Sequence, residues 1–202
     1  MTADTDPRIA DARHDPERLG VLLETYRHYL RLLARVEIGK RLQGKIDASD
    51  VVQEAFLDAH RHFPAFRGHA EAQFAAWLRE ILAGTLSNQV RRFFGTQARD
   101  PRLEVNAADL DQSSYGLAQM LIDPGTSPSG HADRREQSLR VAEALGRLPD
   151  DYQTVLVLRH LEGLTFPEVA RAMGKSVDSV EKLWLRGLTR LKKAFAADGG
   201  TA

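Results

Sequence analysis

A chain of 202 residues has room for one domain or two small ones, and its 28 Lys and Arg against 28 Asp and Glu leave it neutral overall. Neutrality excludes a histone-like polycation and an acidic tail protein, yet permits a local basic patch. With no Cys there is no disulfide, thiolate nucleophile or Cys-ligated metal centre, and no apolar run reaches the ~18 residues of a membrane span.

The acidic start MTADTDPRIADARHDPE has no apolar stretch, so 1–14 reads as an N-terminal tail rather than a signal peptide, and the expected setting is cytoplasmic with no membrane insertion. Asp15-Pro16-Glu17 is a helix start: an N-cap, a proline at the first helical position and an acid in the first turn. Leu19, Leu22, Leu23, Tyr26, Leu30 and Leu33 follow at three-and-four spacing, which predicts one helix with a buried face. Gly39 and Gly44 loosen the next connection. Asp47 caps a second helix with Val52, Ala55, Phe56, Ala59 and Phe63 on its stripe, and Pro64 closes it. A third helix runs from about Glu71 to Phe94, carrying Phe74, Trp77, Leu78, Ile81, Leu82, Val90 and Phe93. Residues 15–95 therefore make a helical bundle.

Through 96–133 the periodicity fails: Pro101, Pro124 and Pro128 alternate with four serines and sparse apolar residues, so the stretch is predicted to be a flexible linker. Leu139, Ala142, Leu145 and Leu148 restart the pattern. Pro149 opens a helix holding Tyr152, Val155, Leu156 and Arg159, and Gly163 ends it. The predicted fold class is all-α, with an N-terminal helical bundle and a C-terminal helix-turn-helix domain over 134–196, followed by a short tail at 197–202.

The C-terminal motif is read from its punctuation. Thr165-Phe166-Pro167-Glu168 is a capping box, Gly174 supplies a left-handed turn residue, and Ser176 caps a longer helix. Val177, Val180, Leu183, Trp184, Leu188 and Leu191 are expected to face inward, and the small Ala170 lets two helices cross closely at Val180. Arg171, Lys175, Lys182, Arg186, Arg190, Lys192 and Lys193 outnumber Asp178 and Glu181 here, which suits phosphate attraction and counterion release. Ser176, Asp178, Ser179 and Lys182 on the leading turn are placed to meet base edges in a major groove. The plainer alternative is a helical hairpin with a solvated basic face.

In the N-terminal half, Phe63-Pro64-Ala65-Phe66-Arg67-Gly68-His69 and Asn88-Gln89-Val90-Arg91-Arg92-Phe93-Phe94 interleave aromatic and basic residues, a combination that suits single-stranded nucleic acid. Aromatics at helical spacing serve a core equally well. The segments DASDVVQEAFLDAHRHFPAFRG and WLREILAGTLSNQVRRFF resemble the second conserved region of bacterial sigma factors, and LGRLPDDYQTVLVLRHLEGLTFPEVARAMGKSVDSVEKLWLRGLTRLKK resembles the fourth. The pair with no further domain between them is similar to the extracytoplasmic-function (ECF) branch.

That resemblance implies roles. Asp50, Gln53, Glu54 and Asp58 would dock on the β′ clamp helices of core RNA polymerase, with the β flap as a further contact. Phe66, Arg67, Gly68 and His69 would capture a flipped base of the minus-ten element, and Trp77, Arg79, Asn88, Arg91 and Arg92 would hold the opened strand. Arg171, Lys175, Ser176, Asp178, Ser179, Lys182 and Arg186 would read the minus-thirty-five element as duplex. An anti-sigma factor is an expected partner. Family members often carry Asn near Gly84, a basic residue at Glu181 and Arg at Leu183, so the recognition helix here is less basic than usual.

Two other readings compete: a helix-turn-helix regulator acting without polymerase, and a sigma-like decoy that titrates an anti-sigma factor. No enzyme is expected. His60 and His62 lie on different helical faces, no phosphate-binding glycine loop is present, and neither cofactor nor metal is predicted.

Overall fold

The computed structural model describes residues 6–42, 46–94, 105–120 and 131–198, and among these no strand occurs. Gly44, Pro101, Pro124, Pro128, Ser127, Ser129 and the ends of both predicted tails lie outside the described residues, as does the side chain of Phe93. The chain divides into two compact units, residues 1–111 and 112–202.

The N-terminal unit begins with a helix where a tail is predicted. Helix α1 (Pro7–His14) is capped by Asp6, whose carboxylate accepts from the Arg8 amide, and it buries Ile9 and Ala12. With only two apolar anchors in eight residues its periodicity is too thin to read. Helix α2 (Pro16–Thr25) starts as expected, with Asp15 accepting from the Glu17 amide. The single helix predicted through Leu33 is broken at Tyr26, where the amide bonds back to the Leu23 carbonyl at 3.0 Å and α3 (Arg27–Leu42) sets off anew. The Tyr26 ring stands edge-on to Phe74 at 5.3 Å, and its hydroxyl donates to Glu71. The stripe from Leu19 to Leu33 is buried across the break.

Helix α4 (Ala48–His62) is capped by Asp47 and buries Val52, Ala55, Phe56 and Ala59. A short 3₁₀ turn (Phe63–Ala65) follows, and α5 (Glu71–Phe94) has the predicted bounds. Helices α3, α4 and α5 pack on one another around Leu30, Leu33, Phe74, Leu78, Leu82 and Leu86, all fully buried. Each such buried side chain contributes roughly 1.5–3 kcal/mol toward holding the three helices together.

Gly84 sits on the exposed side of α5, and a Cβ there meets nothing within 4 Å. Gly84→Ala is therefore expected to stabilise the N-terminal unit by about 0.5–1 kcal/mol. A thermal melt should show a midpoint several degrees higher; an unchanged or lower midpoint would mean the position is not open.

Within the stretch predicted to be a linker, α6 (Ala107–Gln119) is a helix and the segment is not structureless throughout. Asn106 and Asp109 cap it reciprocally, each side chain accepting from the other's amide. Leu110 and Leu117 are fully buried, while Ser113 and Ser114 fill intervening inward positions. Buried serines in place of large apolar residues erase the helical signature that periodicity depends on.

In the C-terminal unit α7 (His131–Gly146) and α8 (Asp150–Leu156) pack against α10 (Val177–Asp198), with α9 (Phe166–Met173) crossing it. Pro149 precedes α8 as predicted, and one π-helical turn (Val157–Leu161) leads to Gly163 at φ +71°. Gly187 lets α10 approach α8, since a Cβ there would lie 3.4 Å from both Tyr152 and Leu156.

Candidate nucleic-acid interface

The helix-turn-helix of the C-terminal unit is built by three local devices. The Glu168 carboxylate accepts from the Thr165 amide at 2.8 Å and its hydroxyl at 2.7 Å, which holds the Glu168 carboxyl below its ordinary value. Gly174 adopts φ +63°, and the Lys175 amide reaches back to the Ala170 carbonyl at 3.0 Å. Ser176 then caps α10 by accepting from the Ser179 amide. Val169 and Val180 are fully buried and Ala170 nearly so, as helices α9 and α10 pack against each other.

This arrangement leaves the leading turn of α10 in solvent. Arg171, Lys175, Ser176, Asp178, Ser179, Lys182 and Arg186 are all exposed. Several engage one another: Lys182 pairs with Asp178 at 2.8 Å, Ser176 with Ser179 at 2.8 Å, and Lys175 reaches Asp151 at 3.2 Å. Exposed ion pairs of this kind are worth little and exchange readily for phosphate. Val177, predicted to face inward, is instead 39% exposed on the same turn. One residue after the cap, it precedes the first inward position at Val180. An exposed valine there is fit for a thymine methyl group.

In the N-terminal unit the loop after α4 is tightly held. Phe66 is buried, 4.8 Å from the Trp77 ring and 5.7 Å from Phe74, with Phe63 stacked at 6.0 Å. The Phe66 ring, expected to meet a flipped base, is here buried in this aromatic cluster, which stabilises the loop more than leaving it in solvent. Arg67 and His69 project outward, Arg67 donating to the Pro64 carbonyl. A Cβ at Gly68 would collide with the Phe66 ring and come within 2.9 Å of the Gln73 Cβ, so only glycine fits. Gln73 accepts from the amides of His69 and Ala70.

Along α5, Trp77, Gly84, Asn88 and Arg91 share one face by helical spacing; Asn88, Arg91 and Arg92 are exposed and Trp77 half-buried. Arg79 is two residues from Trp77 and therefore points the other way. Its guanidinium is buried, paired with Asp111 at 2.5 Å and donating to the Tyr29 hydroxyl at 3.1 Å. Arg79, expected to help hold the opened strand, is thus engaged inside the unit, where it supports the start of α6. The outer face of α4 carries exposed Asp50 and Gln53. Glu54 and Asp58 are half-buried: Glu54 meets Gln89 at 2.5 Å and Arg92 at 3.3 Å, and Asp58 pairs with Arg61. Sequence reasoning missed Leu57, 58% exposed in their midst. Its signal is present, because an apolar residue directly after the inward Phe56 falls on the polar face.

Residues 25–93 match the family model for Sigma-70 region 2, and residues 138–191 match Sigma-70, region 4. The ECF RNA polymerase sigma-E factor of Haemophilus influenzae is 34% identical over 140 residues, spanning 69% of this chain and 70% of that protein. The chain belongs to the ECF RNA polymerase sigma factors. The RNA polymerase sigma-H factor of Pseudomonas aeruginosa is 29% identical over 198 residues, covering 96% of each chain. Among solved structures, CnrH in complex with the cytosolic domain of CnrY is 25% identical and covers 95% of this chain and 96% of its own, with a TM-score of 0.32.

This sigma factor is therefore a transcription initiation factor that binds core RNA polymerase and promoter DNA. Among its described residues no helix is long and apolar enough to cross a membrane, and no group of three His, Asp or Glu is placed to hold a metal.

Its fourth region contains a ring contact whose hydrogen bond depends on the charge of an imidazole. The Trp184 indole N–H donates to His160 Nε2 at 2.9 Å, and the rings stack at 6.2 Å. That bond needs a neutral imidazole. Desolvation, followed by the neighbouring Arg159 charge, holds the His160 pKa below its ordinary value. Because the folded value is the lower one, the contribution to stability is complete above the unfolded value of about 6.5 and is lost as pH falls through the folded value. In a Trp77→Phe background, acidification from about pH 7.5 to 5.5 should alter Trp184 fluorescence and lower the melting midpoint of this unit. His160→Gln should flatten both profiles, and identical profiles would contradict the assignment.

Proposed function

We propose that the two units divide promoter recognition: the N-terminal unit docks on polymerase and opens the minus-ten element, and the C-terminal unit reads the minus-thirty-five element as duplex. The observation that carries this is the α5 face of Trp77, Asn88 and Arg91, with the exposed Arg67 and His69 on the loop leading into that helix. The half-buried indole offers a stacking surface, and Arg91, about 21 Å further along the same face at ~1.5 Å per residue, offers phosphate pairing, a combination suited to a single strand running along the helix. Flipping a base costs a few kcal/mol, which contacts from a preformed loop must offset.

For duplex reading, the support is the exposed leading turn of α10 with Lys175, Lys182 and Arg186 around it. The polymerase dock is assigned to α4, where exposed Leu57 shares a helical face with Gln53 and Asp50, one and two turns before it, an apolar point on a polar face suited to the β′ clamp helices. Catalysis belongs to the polymerase.

The division is tested with two charge-removal variants in holoenzyme. Arg91→Ala with Arg92→Ala should abolish opening of duplex promoters while leaving duplex engagement near wild type. Lys182→Ala with Arg186→Ala should weaken duplex engagement and reduce its salt dependence by about two counterions. Equal effects of both variants on both steps would contradict the division.

A further inference from the structure

We propose that Arg13 is a positioning residue for promoter opening, its guanidinium clamping the backbone of the loop that presents Arg67 and His69. Arg13 Nη1 donates to the Phe66 carbonyl at 2.8 Å and Nη2 to the Gly68 carbonyl at 2.7 Å, across more than fifty residues of sequence. The same guanidinium lies 5.9 Å from the Phe63 ring centre and 5.8 Å from that of Phe66. One planar fork thus holds two alternate carbonyls and covers two aromatic anchors of one loop. Charge-assisted hydrogen bonds are about twice as strong as neutral ones, and a fork reaches two acceptors at once where an ammonium acts as a point charge.

Helix α1 is itself fastened to the same segment. The Asp6 amide donates to the His69 carbonyl at 2.9 Å, and Arg8 pairs with Glu71 at 3.1 Å. With Gln73 taking the amides of His69 and Ala70, the main chain from Phe66 to Ala70 is tied from both sides. Side chains of Arg67 and His69 are left outside. A loop ordered in advance does not lose its conformational freedom when it binds, so a preformed loop captures a base more readily than a mobile one. Arg13 itself faces inward to the loop and touches no DNA under this proposal. The helix predicted to be a tail is on this account a functional part of the opening machinery.

The inference rests on the proposed role of the loop in minus-ten opening. The test uses full-length chain with bacterial core RNA polymerase, on a promoter selected by the wild-type protein from a randomised library and labelled with 2-aminopurine in the minus-ten element. Arg13→Ala is expected to slow the fluorescence rise of opening about tenfold or more, and Arg13→Lys to slow it by a smaller factor. Core affinity should stay within about twofold for both. Hydrogen exchange on the free protein should show amides 67–70 exchanging about tenfold faster in Arg13→Ala, with the α3–α5 core unchanged. Wild-type opening rates in Arg13→Ala, or unchanged exchange in the loop, would overturn the proposal. If loop exchange accelerates but the wild-type holoenzyme opens no promoter, the opening role of the loop falls, and the functional half of the proposal falls with it.

Discussion

Leu57→Asp is expected to weaken binding to core RNA polymerase by about thirtyfold or more, the loss typical of a central interface anchor worth ~2 kcal/mol. Leu57 is 58% exposed, whereas its neighbour Phe56 carries the buried side of α4. The substitution therefore leaves the core intact, and the unfolding midpoint should move little, as for other surface changes within about 0.5 kcal/mol. Asp50→Asn on the same face is a rim change and should alter association rate and salt dependence more than final affinity. Titration of labelled protein with core enzyme at several salt concentrations measures the affinities, stopped-flow mixing the association rate, and a thermal melt the midpoint. Wild-type affinity for Leu57→Asp would show that the polymerase docks elsewhere.

Val180→Asp is the second large effect, and it acts through folding. Val180 is fully buried on α10, which packs against α9, where Val169 and Ala170 are buried too. A carboxylate placed there has to be desolvated without a partner or be protonated, at a cost of several kcal/mol. That is a large share of the ~5–15 kcal/mol stabilising a typical domain. Helix-turn-helix geometry should be lost and duplex binding should fall about a hundredfold or more, while the N-terminal unit melts as before. Circular dichroism and anisotropy with a duplex carrying the minus-thirty-five element report the two effects. Wild-type duplex affinity in Val180→Asp would contradict the assigned crossing.

Where local chemistry punctuates the chain, the fold is legible without coordinates. Asp15, Asp47, Thr165 with Glu168, Gly174 and Ser176 each occupy the cap or turn predicted for them, because a cap is decided by a few neighbouring residues. Less legible are elements whose inward side is small or sparse. Helix α1 offers only Ile9 and Ala12, and α6 turns Ser113 and Ser114 inward, so neither displays an apolar stripe. The break at Tyr26 escapes notice because the buried stripe continues through it.

The candidate site divides in the same way. Exposure of Asp50, Gln53, Asn88, Arg91, Lys182 and Arg186 follows from helical spacing. Phe66 and Arg79 could not be placed so simply. The Phe66 ring turns inward because Phe63, Phe74 and Trp77 converge from separate segments, and Arg79 is claimed by Asp111 from beyond the third helix. Helical spacing does show Arg79 opposite Trp77, but its partner is visible only in three dimensions. Arg13 is the extreme case: its bonds to Phe66 and Gly68 join a stretch read as tail to the loop at the centre of the proposed function.

Under the proposed division, this chain directs polymerase to promoters with two separate DNA-reading units. The most direct measurement mixes the full-length protein with bacterial core RNA polymerase and a randomised promoter library, and maps transcript 5′ ends by sequencing. Discrete starts preceded by two sequence blocks are expected, one block lost on removing Arg91 and Arg92 and the other degraded on removing Lys182 and Arg186. Starts indistinguishable from those of core enzyme alone, with the protein bound to duplex DNA but not to polymerase, would contradict that division.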